Sequence, residues 1–145
     1  MQVAEDIKVA AGMSAVVLTV GPAHTLREAA RMMAARNVGA AVVANPDGAG
    51  VGIITERDIL KSVAADESPD AELVEKHCTQ DIVFAARGWT LGEAAAAMVH
   101  GGFRHLVVIE GNEVVGLLSM RDIVRCWSAA RVPVQGAPGD TLVQG

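Results

Sequence analysis

A hydroxyl residue followed three positions later by an aspartate occurs twice in this chain, each time in the same apolar setting. The stretch GIITERDIL returns later as GLLSMRDIV, and the two pairs are Thr55 with Asp58 and Ser119 with Asp122. In each copy an apolar run precedes the hydroxyl and an apolar-periodic segment follows the aspartate, which is typical of a strand, a tight turn and a helix start. This spacing is that of a capping box, in which hydroxyl and carboxylate each accept a backbone N–H. Capping is therefore the first interpretation of both pairs.

An arginine stands between hydroxyl and acid in both copies, at Arg57 and Arg121. The first turn of a helix carries the positive end of the macrodipole and disfavours cations, so this placement needs a reason. One reason is a bound anion, since free N–H groups, a hydroxyl and a guanidinium together suit a phosphate. The alternative is ordinary pairing with an acid at the surface, where ion pairs contribute little. The residues alone leave both open.

The composition of the chain argues against several classes of partner. Its 145 residues are 51% hydrophobic, which is ample for a core, but only 3% aromatic, so no stacking platform for single-stranded nucleic acid is visible. A net charge of -5 argues against a surface that binds a phosphate backbone. No apolar run approaches the roughly 18–20 residues that cross a bilayer, and no signal-peptide pattern opens the chain. We therefore expect a soluble, cytoplasmic protein with neither nucleic acid nor membrane as a partner.

The cysteines and histidines predict no metal site. Cys78 and Cys126 are isolated, and His77 beside Cys78 offers too few ligands for a closed zinc site. The sequence also lacks a nucleophile-elbow or Walker motif. We therefore expect no metal, no required cofactor, no catalytic residues and no enzyme activity.

The repetition extends well beyond the two motifs. Thr25 opens a helix pattern that Thr90 opens again 65 residues later, and Val42 in an apolar strand pattern returns at the same offset as Val107. A period of this length indicates a duplicated unit. In both halves the predicted order is strand, helix, strand, strand, helix. Each half is too small to bury much apolar surface alone, so we expect the halves to pack together about a pseudo-twofold axis.

The predicted boundaries follow from this duplication. The first repeat is placed at 1–66, with an N-terminal segment, and the second at 67–130, with a linker helix near its start. Residues 131–145 are rich in Pro, Gly, Gln and Ala without a period and are predicted to form a flexible tail. The fold class is α+β or α/β, with two pseudo-symmetric βαββα repeats packed sheet to sheet as one module.

These features together resemble the cystathionine β-synthase (CBS) domain, occurring here as the tandem pair called a Bateman module. The resemblance rests on the glycine, hydroxyl and aspartate string recurring in the same order with Thr-Leu-x-Glu-Ala-Ala and a Val-Val strand, and it covers nearly the whole chain. In that family the clefts of the pair commonly bind AMP, ADP, ATP or S-adenosylmethionine. The resemblance therefore implies an adenosine-type small molecule as the partner.

The resemblance also implies which residues bind this ligand. Asp58 and Asp122 would hold the ribose, because a carboxylate can accept both hydroxyls of a cis-diol. Thr55 and Ser119 would contact phosphate at the helix starts. The adenine would lie among apolar residues of the first two strands of each repeat, which are Val17, Leu18, Val20, Ala41 and Val42, and Val83, Ala85, Leu106 and Val107.

The chain departs from the family pattern just before the second strand of each repeat. Many members have basic residues there, followed by an apolar residue, proline and valine. Arg104 and His105 supply the basic pair in the second repeat only, and both repeats lack the proline. Arg104 could fork onto a phosphate or be a plain surface charge, and His105 could bind the ligand or pack in the core. We expect the two clefts to differ in their affinity for phosphate.

The leading hypothesis is a stand-alone regulatory sensor. An adenosine ligand would enter one or both clefts, bridge the repeats and change their relative angle or the geometry of a dimer. The family usually forms a flat disc of four repeats through the helices that follow Asp58 and Asp122, so a homodimer is implied. Output would pass to an unknown effector protein. The alternative is a structural or protein-interaction module that binds no ligand, in which the capping boxes are only caps.

Overall fold

The computed structural model describes residues 6–45 and 50–131 of the chain. Within them the chain forms two similar units, each with a short leading helix, a strand, a helix, a hairpin and a final helix. The first unit consists of α1 (Val9–Gly12), β1 (Thr19–Val20), α2 (Leu26–Arg36), β2 (Ala40–Ala44), β3 (Val51–Thr55) and α3 (Glu56–Ala64). The second consists of α4 (Val74–His77), β4 (Phe84–Ala86), α5 (Leu91–Gly101), β5 (His105–Glu110), β6 (Glu113–Ser119) and α6 (Met120–Arg131). The predicted βαββα order of each repeat is confirmed.

Each unit contains a three-stranded sheet of mixed direction. In the first sheet β1 runs parallel to β2, and β2 pairs antiparallel with β3, with Val42 opposite Ile53. The second sheet repeats this arrangement with β4, β5 and β6, and Val107 lies opposite Leu117. The parallel pair is joined through a helix and the antiparallel pair by a hairpin, as these two kinds of pairing require.

Three buried clusters hold the sheets and helices together. The first sheet packs on α2 through a cluster that includes Leu26 and Ile54, and the second packs on α5 and α6 through one that includes Leu91. A third cluster lies between the two sheets and contains Ala40, Val42, Ile53, Val107 and Leu117. Successive residues of a strand face opposite sides of its sheet, so β2 contributes to both a helix layer and the layer between sheets. The predicted packing of two repeats sheet to sheet is confirmed.

The starts of α2 and α5 carry the capping boxes expected from their repeated sequence. Thr25 accepts the N–H of Glu28 and donates its own backbone N–H to that glutamate, and Thr90 and Glu93 do the same at α5. The hydrogen bond from the threonine backbone lowers the pKa of each glutamate. The duplicated Thr-Leu-x-Glu sequence therefore acts as a helix start in both repeats.

The leading helices are exchanged between the repeats. Val9 at the start of α1 is fully buried in the core of the second repeat, and Val74 at the start of α4 is fully buried in the core of the first. Short antiparallel bridges to the opposite hairpin continue the exchange, joining Ser14 to Leu117 and Thr79 to Ile53. The boundaries predicted at 1–66 and 67–130 thus follow the order of the chain, while each core takes its leading helix from the other repeat.

The glycine that opens each motif makes room for this exchange. A Cβ atom on Gly52 would lie 2.9 Å from the carbonyl oxygen of Thr79, and one on Gly116 would lie 3.1 Å from that of Ser14. A glycine inside a strand often marks the close approach of another backbone. The recurring glycine is therefore explained by packing between the repeats.

The predicted flexible tail, apart from Arg131 at the end of α6, lies outside the described residues. Among the helices that the structure does describe, none has both the length and the apolar character needed to cross a membrane.

Candidate functional site

Each motif aspartate helps to cap the helix in whose first turn it lies. Asp58 Oδ2 accepts the backbone N–H of Thr55 at 2.8 Å, and Thr55 Oγ1 accepts the backbone N–H of Asp58 at 3.3 Å. At the start of α6, the same two bonds join Ser119 and Asp122 at 2.8 Å and 3.0 Å. The capping interpretation is confirmed for both pairs. One oxygen of each carboxylate is therefore already in use.

A cleft of about 910 Å³ opens at the start of α6. Six residues proposed from the sequence line it, namely Leu18, Arg104, His105, Ser119, Arg121 and Asp122. The first repeat forms the facing wall with residues 36–40 at the end of α2 and with Glu56 at the start of α3. The cleft thus lies between the repeats, as expected for a pair of this kind.

Arginines dominate the charge of this cleft. Arg36, Arg104, Arg121 and Arg125 all line it, against the two carboxylates of Glu56 and Asp122. Four of the twelve basic residues of the chain therefore gather at one cleft, although the net charge is -5. Clustered guanidinium groups favour an anionic ligand with oxygen acceptors.

Sequence reasoning missed Arg125, which holds the free oxygen of Asp122. Arg125 Nη1 donates to Asp122 Oδ1 at 2.9 Å, and Nη2 donates to the carbonyl of Gly12 at 3.4 Å. The hydrogen bond to Asp122 raises the pKa of Arg125. The spacing of three residues along a helix could have revealed this pair. Its counterpart after Asp58 is Lys61, and no ion pair to Asp58 occurs among the residues described.

His105 lies on the wall between the repeats. Burial lowers its pKa, and the carboxylates of Glu56 and Asp122 oppose that shift only in part. The imidazole is therefore neutral near pH 7 and adds no positive charge to the cleft. A Cβ atom on Gly39 would collide with Oε2 of Glu56 and would lie 3.5 Å from Nε2 of His105. A side chain on Gly39 would therefore crowd this contact between the repeats.

The motif arginines reach across to the opposite repeat. Arg57 Nη1 lies 3.5 Å from the carbonyl of Gly102, and Arg121 Nη2 lies 3.3 Å from the carbonyl of Asn37. Asn37 and Gly102 are the left-handed C-cap residues of α2 and α5, with φ of 54° and 74°. A cation is favoured at a helix C-terminus, where the macrodipole is negative. This explains why an arginine stands at the start of α3 and α6, and neither of the two sequence interpretations had foreseen it.

These two arginine contacts are expected to stabilise the packing of the repeats. Arg57→Met and Arg121→Met should each lower the free energy of unfolding by about 0.5 kcal/mol, and the double variant by about 1 kcal/mol, since both contacts are exposed. Urea unfolding measures the change. Arg87→Met, at an exposed residue just after β4, is the matched control. A double variant as stable as the parent chain would contradict this role.

Most of the predicted adenine contacts lie away from the cleft. Val20, Ala41, Ala85 and Leu106 are buried in the two helix–sheet cores, and Val42 and Val107 are buried between the sheets. Val17 packs against that middle cluster, and Val83 is 48% exposed. The side chains of these eight residues do not line the cleft of about 910 Å³. Any contact that they make with a ligand stays a prediction.

Thr55, Arg57 and Asp58 lie at the corresponding turn of the first repeat. They do not line the cleft of about 910 Å³ either, because the second repeat supplies its own copy of the motif there. A role for them in ligand binding likewise stays a prediction.

Comparison with known proteins agrees with this architecture. The chain matches the family model of the CBS domain twice, over residues 4–65 and 74–129. It is 35% identical over 127 residues to an uncharacterized 17.7 kDa protein in the bps2 3' region of Acidianus ambivalens, which covers 87% of this chain and 76% of that protein. Seven other curated relatives are longer, and the chain spans between 19% and 57% of their length.

Solved structures show the same fold. The CBS-domain containing protein ATU1752 from Agrobacterium tumefaciens superposes with a TM-score of 0.77 at 32% identity, covering 83% of this chain and 93% of that one. The CBS domain protein PAE2072 from Pyrobaculum aerophilum, solved in complex with AMP, superposes with a TM-score of 0.73 at 26% identity, covering 85% of this chain and 99% of that one. Sequence and fold agree over both repeats, and the chain belongs to the CBS domain family.

Proposed function

We propose that this chain is a regulatory module that binds a phosphorylated adenosine, such as AMP, ADP or ATP, in the cleft at the start of α6. The observation that carries the proposal is the group of four arginines around Asp122 in one cleft of an acidic chain. Guanidinium groups bind phosphate through paired N–H donors, and a helix start adds backbone donors. The AMP complex of PAE2072, which is similar in sequence and fold, supports an adenosine ligand.

The cleft residues would bind different parts of the ligand according to their chemistry. Arg104 would bind phosphate, since it has no ion pair or side-chain hydrogen bond among the described residues. Asp122 would hold the ribose hydroxyls with its remaining lone pairs, or with Oδ1 once Arg125 has turned to the phosphate. Neutral His105 would contribute shape and a hydrogen bond rather than charge.

The charge of the cleft also ranks the candidate ligands. The sulfonium of S-adenosylmethionine is a cation, and four arginines disfavour it relative to a phosphate. A second site at Thr55, Arg57 and Asp58 would bind phosphate more weakly, because Gly39 and Ala40 stand where the second repeat has its basic pair. We therefore expect two unequal sites.

Binding would be transmitted through the contact between the repeats. Arg121 lines the cleft and donates to the carbonyl of Asn37, so a phosphate that recruits this guanidinium would loosen the contact. Leu60, Val63 and Val124 are at least half exposed on α3 and α6, and they would form part of a homodimer interface. The output would be received by an effector protein in the cytoplasm, without catalysis by this chain.

Calorimetric titration with AMP, ATP, adenosine and S-adenosylmethionine tests the proposal. Arg104→Ala is expected to lower the affinity for AMP about tenfold and that for adenosine much less, because it removes one charge-assisted contact to phosphate. Arg87→Ala, which alters an exposed arginine outside the cleft, should change neither. Equal losses for AMP and adenosine would mean that Arg104 acts through packing.

The rival function is a protein-interaction module that binds no ligand. It is favoured by the capping boxes, which are complete without one. The same titration separates the two functions. If none of the four compounds gave a heat of binding, the result would support the interaction module.

A further inference from the structure

Two carboxylates and one imidazole converge where the chain passes from the first repeat to the second. Oε1 of Glu67, Oε1 of Glu72 and Nε2 of His77 all lie within 4.8 Å of one another. Nε2 of His77 is 2.7 Å from the oxygen of Glu72 and 3.8 Å from that of Glu67. Neighbouring ligands on a tetrahedral zinc ion with bonds of about 2.0–2.1 Å are roughly 3.3 Å apart. Small side-chain shifts would therefore bring the three atoms to metal-binding separations.

The first ligand, Glu67, is placed by the end of α3. Asp66 adopts the left-handed conformation with φ of 66°, which reverses the chain, and the N–H of Glu67 then donates to the carbonyl of Ser62. The hydroxyl of Ser62, which is 3% exposed, also donates to Oε1 of Glu67 at 2.6 Å. A hydrogen bond of this kind to a ligand residue fixes the direction in which its carboxylate faces a metal.

The other two ligands, Glu72 and His77, belong to a segment whose backbone is hydrogen-bonded to the start of α2. The carbonyl of Glu72 accepts the N–H of Leu26, and the N–H of Val74 donates to the carbonyl of His24, both at the start of α2. The side chains of Glu72 and His77 are 26% and 18% exposed. The backbone that carries these two donors is thus anchored, and the donors are partly shielded from water before any metal arrives, which lowers the entropic cost of binding.

The charge of the cluster is not balanced by its own members. Two carboxylates face one imidazole, so the cluster is negative whether or not the ring is protonated. Bringing like charges together is unfavourable, and a divalent cation removes this repulsion. Oxygen donors combined with an imidazole nitrogen suit zinc and its neighbours such as cobalt, whereas calcium and magnesium prefer oxygen donors alone.

We propose that Glu67, Glu72 and His77 bind a divalent transition metal of the zinc type, with water in the remaining positions. The sequence had predicted no metal site, because it placed only Cys78 beside His77. The metal would join the chain just after α3, at Glu67, to Glu72 and to the end of α4, the helix that enters the core of the first repeat. The proposal is independent of the nucleotide cleft.

Metal binding is tested on the full chain after chelator treatment and without nucleotide. One equivalent of Zn²⁺ should bind and raise the melting temperature by about 5–10 °C at a concentration a hundredfold above the dissociation constant, whereas Mg²⁺ should not. Glu72→Gln and His77→Gln should abolish both effects. Glu75→Gln and His100→Gln, which change exposed residues of the same types outside the cluster, should retain them.

Two further measurements keep the result clear. Cys78→Ser should retain the metal, which excludes uptake by the neighbouring thiol. Co²⁺ should give a visible spectrum that His77→Gln changes, a readout that does not depend on stability. Failure of the parent chain to bind Zn²⁺ or Co²⁺, or binding by His77→Gln and Glu72→Gln as tight as that of the parent chain, would overturn the proposal and leave Glu72 and His77 as a hydrogen-bonded pair.

Discussion

Replacing Asp122 with asparagine is expected to weaken AMP binding by about 10- to 100-fold, because hydrogen bonds to a charged group contribute about 1.5–3 kcal/mol. Asp122 combines two properties that Asp58 lacks. It lines the cleft of about 910 Å³, and it holds Arg125 at 2.9 Å beside the place where a phosphate would bind. Removing its charge would weaken the contact to the ribose and also release Arg125. The loss should therefore appear for adenosine as well as for AMP.

The control for this variant is Glu93→Gln. Glu93 caps α5 with the same geometry, accepting the N–H of Thr90 at 2.8 Å, but it lies outside the cleft. Both variants should lose some stability from the cap, and only Asp122→Asn should lose affinity for the ligand. Calorimetry measures the affinities and urea unfolding measures the stabilities. An unchanged affinity in Asp122→Asn would leave this aspartate as a cap and nothing more.

Deleting residues 1–12 is expected to destabilise the whole chain, although α1 is the one helix or strand that it removes from the described part of the chain. The burial of Val9 contributes about 2 kcal/mol, and the backbone bonds between residues 7–10 and the second repeat contribute about 1 kcal/mol each. Three of these bonds join Val9 to Trp89, Ala10 to Arg87, and Leu91 to Ile7. The total of about 5 kcal/mol is a large part of the roughly 5–15 kcal/mol by which a typical domain is stable. The truncated chain should therefore be largely unfolded or melt far below the parent.

Point variants test the same exchange with less disruption. Val9→Ala and Val74→Ala should each cost about 1–2 kcal/mol, since the two residues hold equivalent buried places in opposite cores. Val99→Ala, at a position that is 75% exposed on α5, should cost nothing. Thermal and urea unfolding report the change. If Val9→Ala were as stable as Val99→Ala, the packing of α1 on the second repeat would not contribute to stability.

The order of elements and the helix starts could be predicted because each is a local matter. Thr25 and Thr90 cap helices through residues three positions away, and the repeat itself fixed which pattern belonged to which element. The site was harder. In β2 the neighbours Ala41 and Val42 are both apolar because both faces of the sheet are covered, so alternation could not show which side chain faces which layer. The predicted adenine contacts depended on that choice.

Long-range partners were also beyond local reasoning. Arg121 donates to the carbonyl of Asn37, 84 positions away in the chain, and Glu67, Glu72 and His77 come together after the backbone reverses at Asp66. No residue near Val9 in the sequence indicates that the side chain of Val9 is buried in the core of the second repeat. What symmetry did predict was the pairing of the halves, since a unit this small cannot bury its own apolar surface.

The crossed placement of α1 and α4 means that neither half of the polypeptide is complete by itself. A fragment of residues 1–66 would carry α1 without the core of the second repeat, in which α1 is buried. It would also lack α4, which is buried in the core of the first repeat. Two such fragments could complete their cores only if each inserted its α1 into the core of the other, as in a domain-swapped dimer.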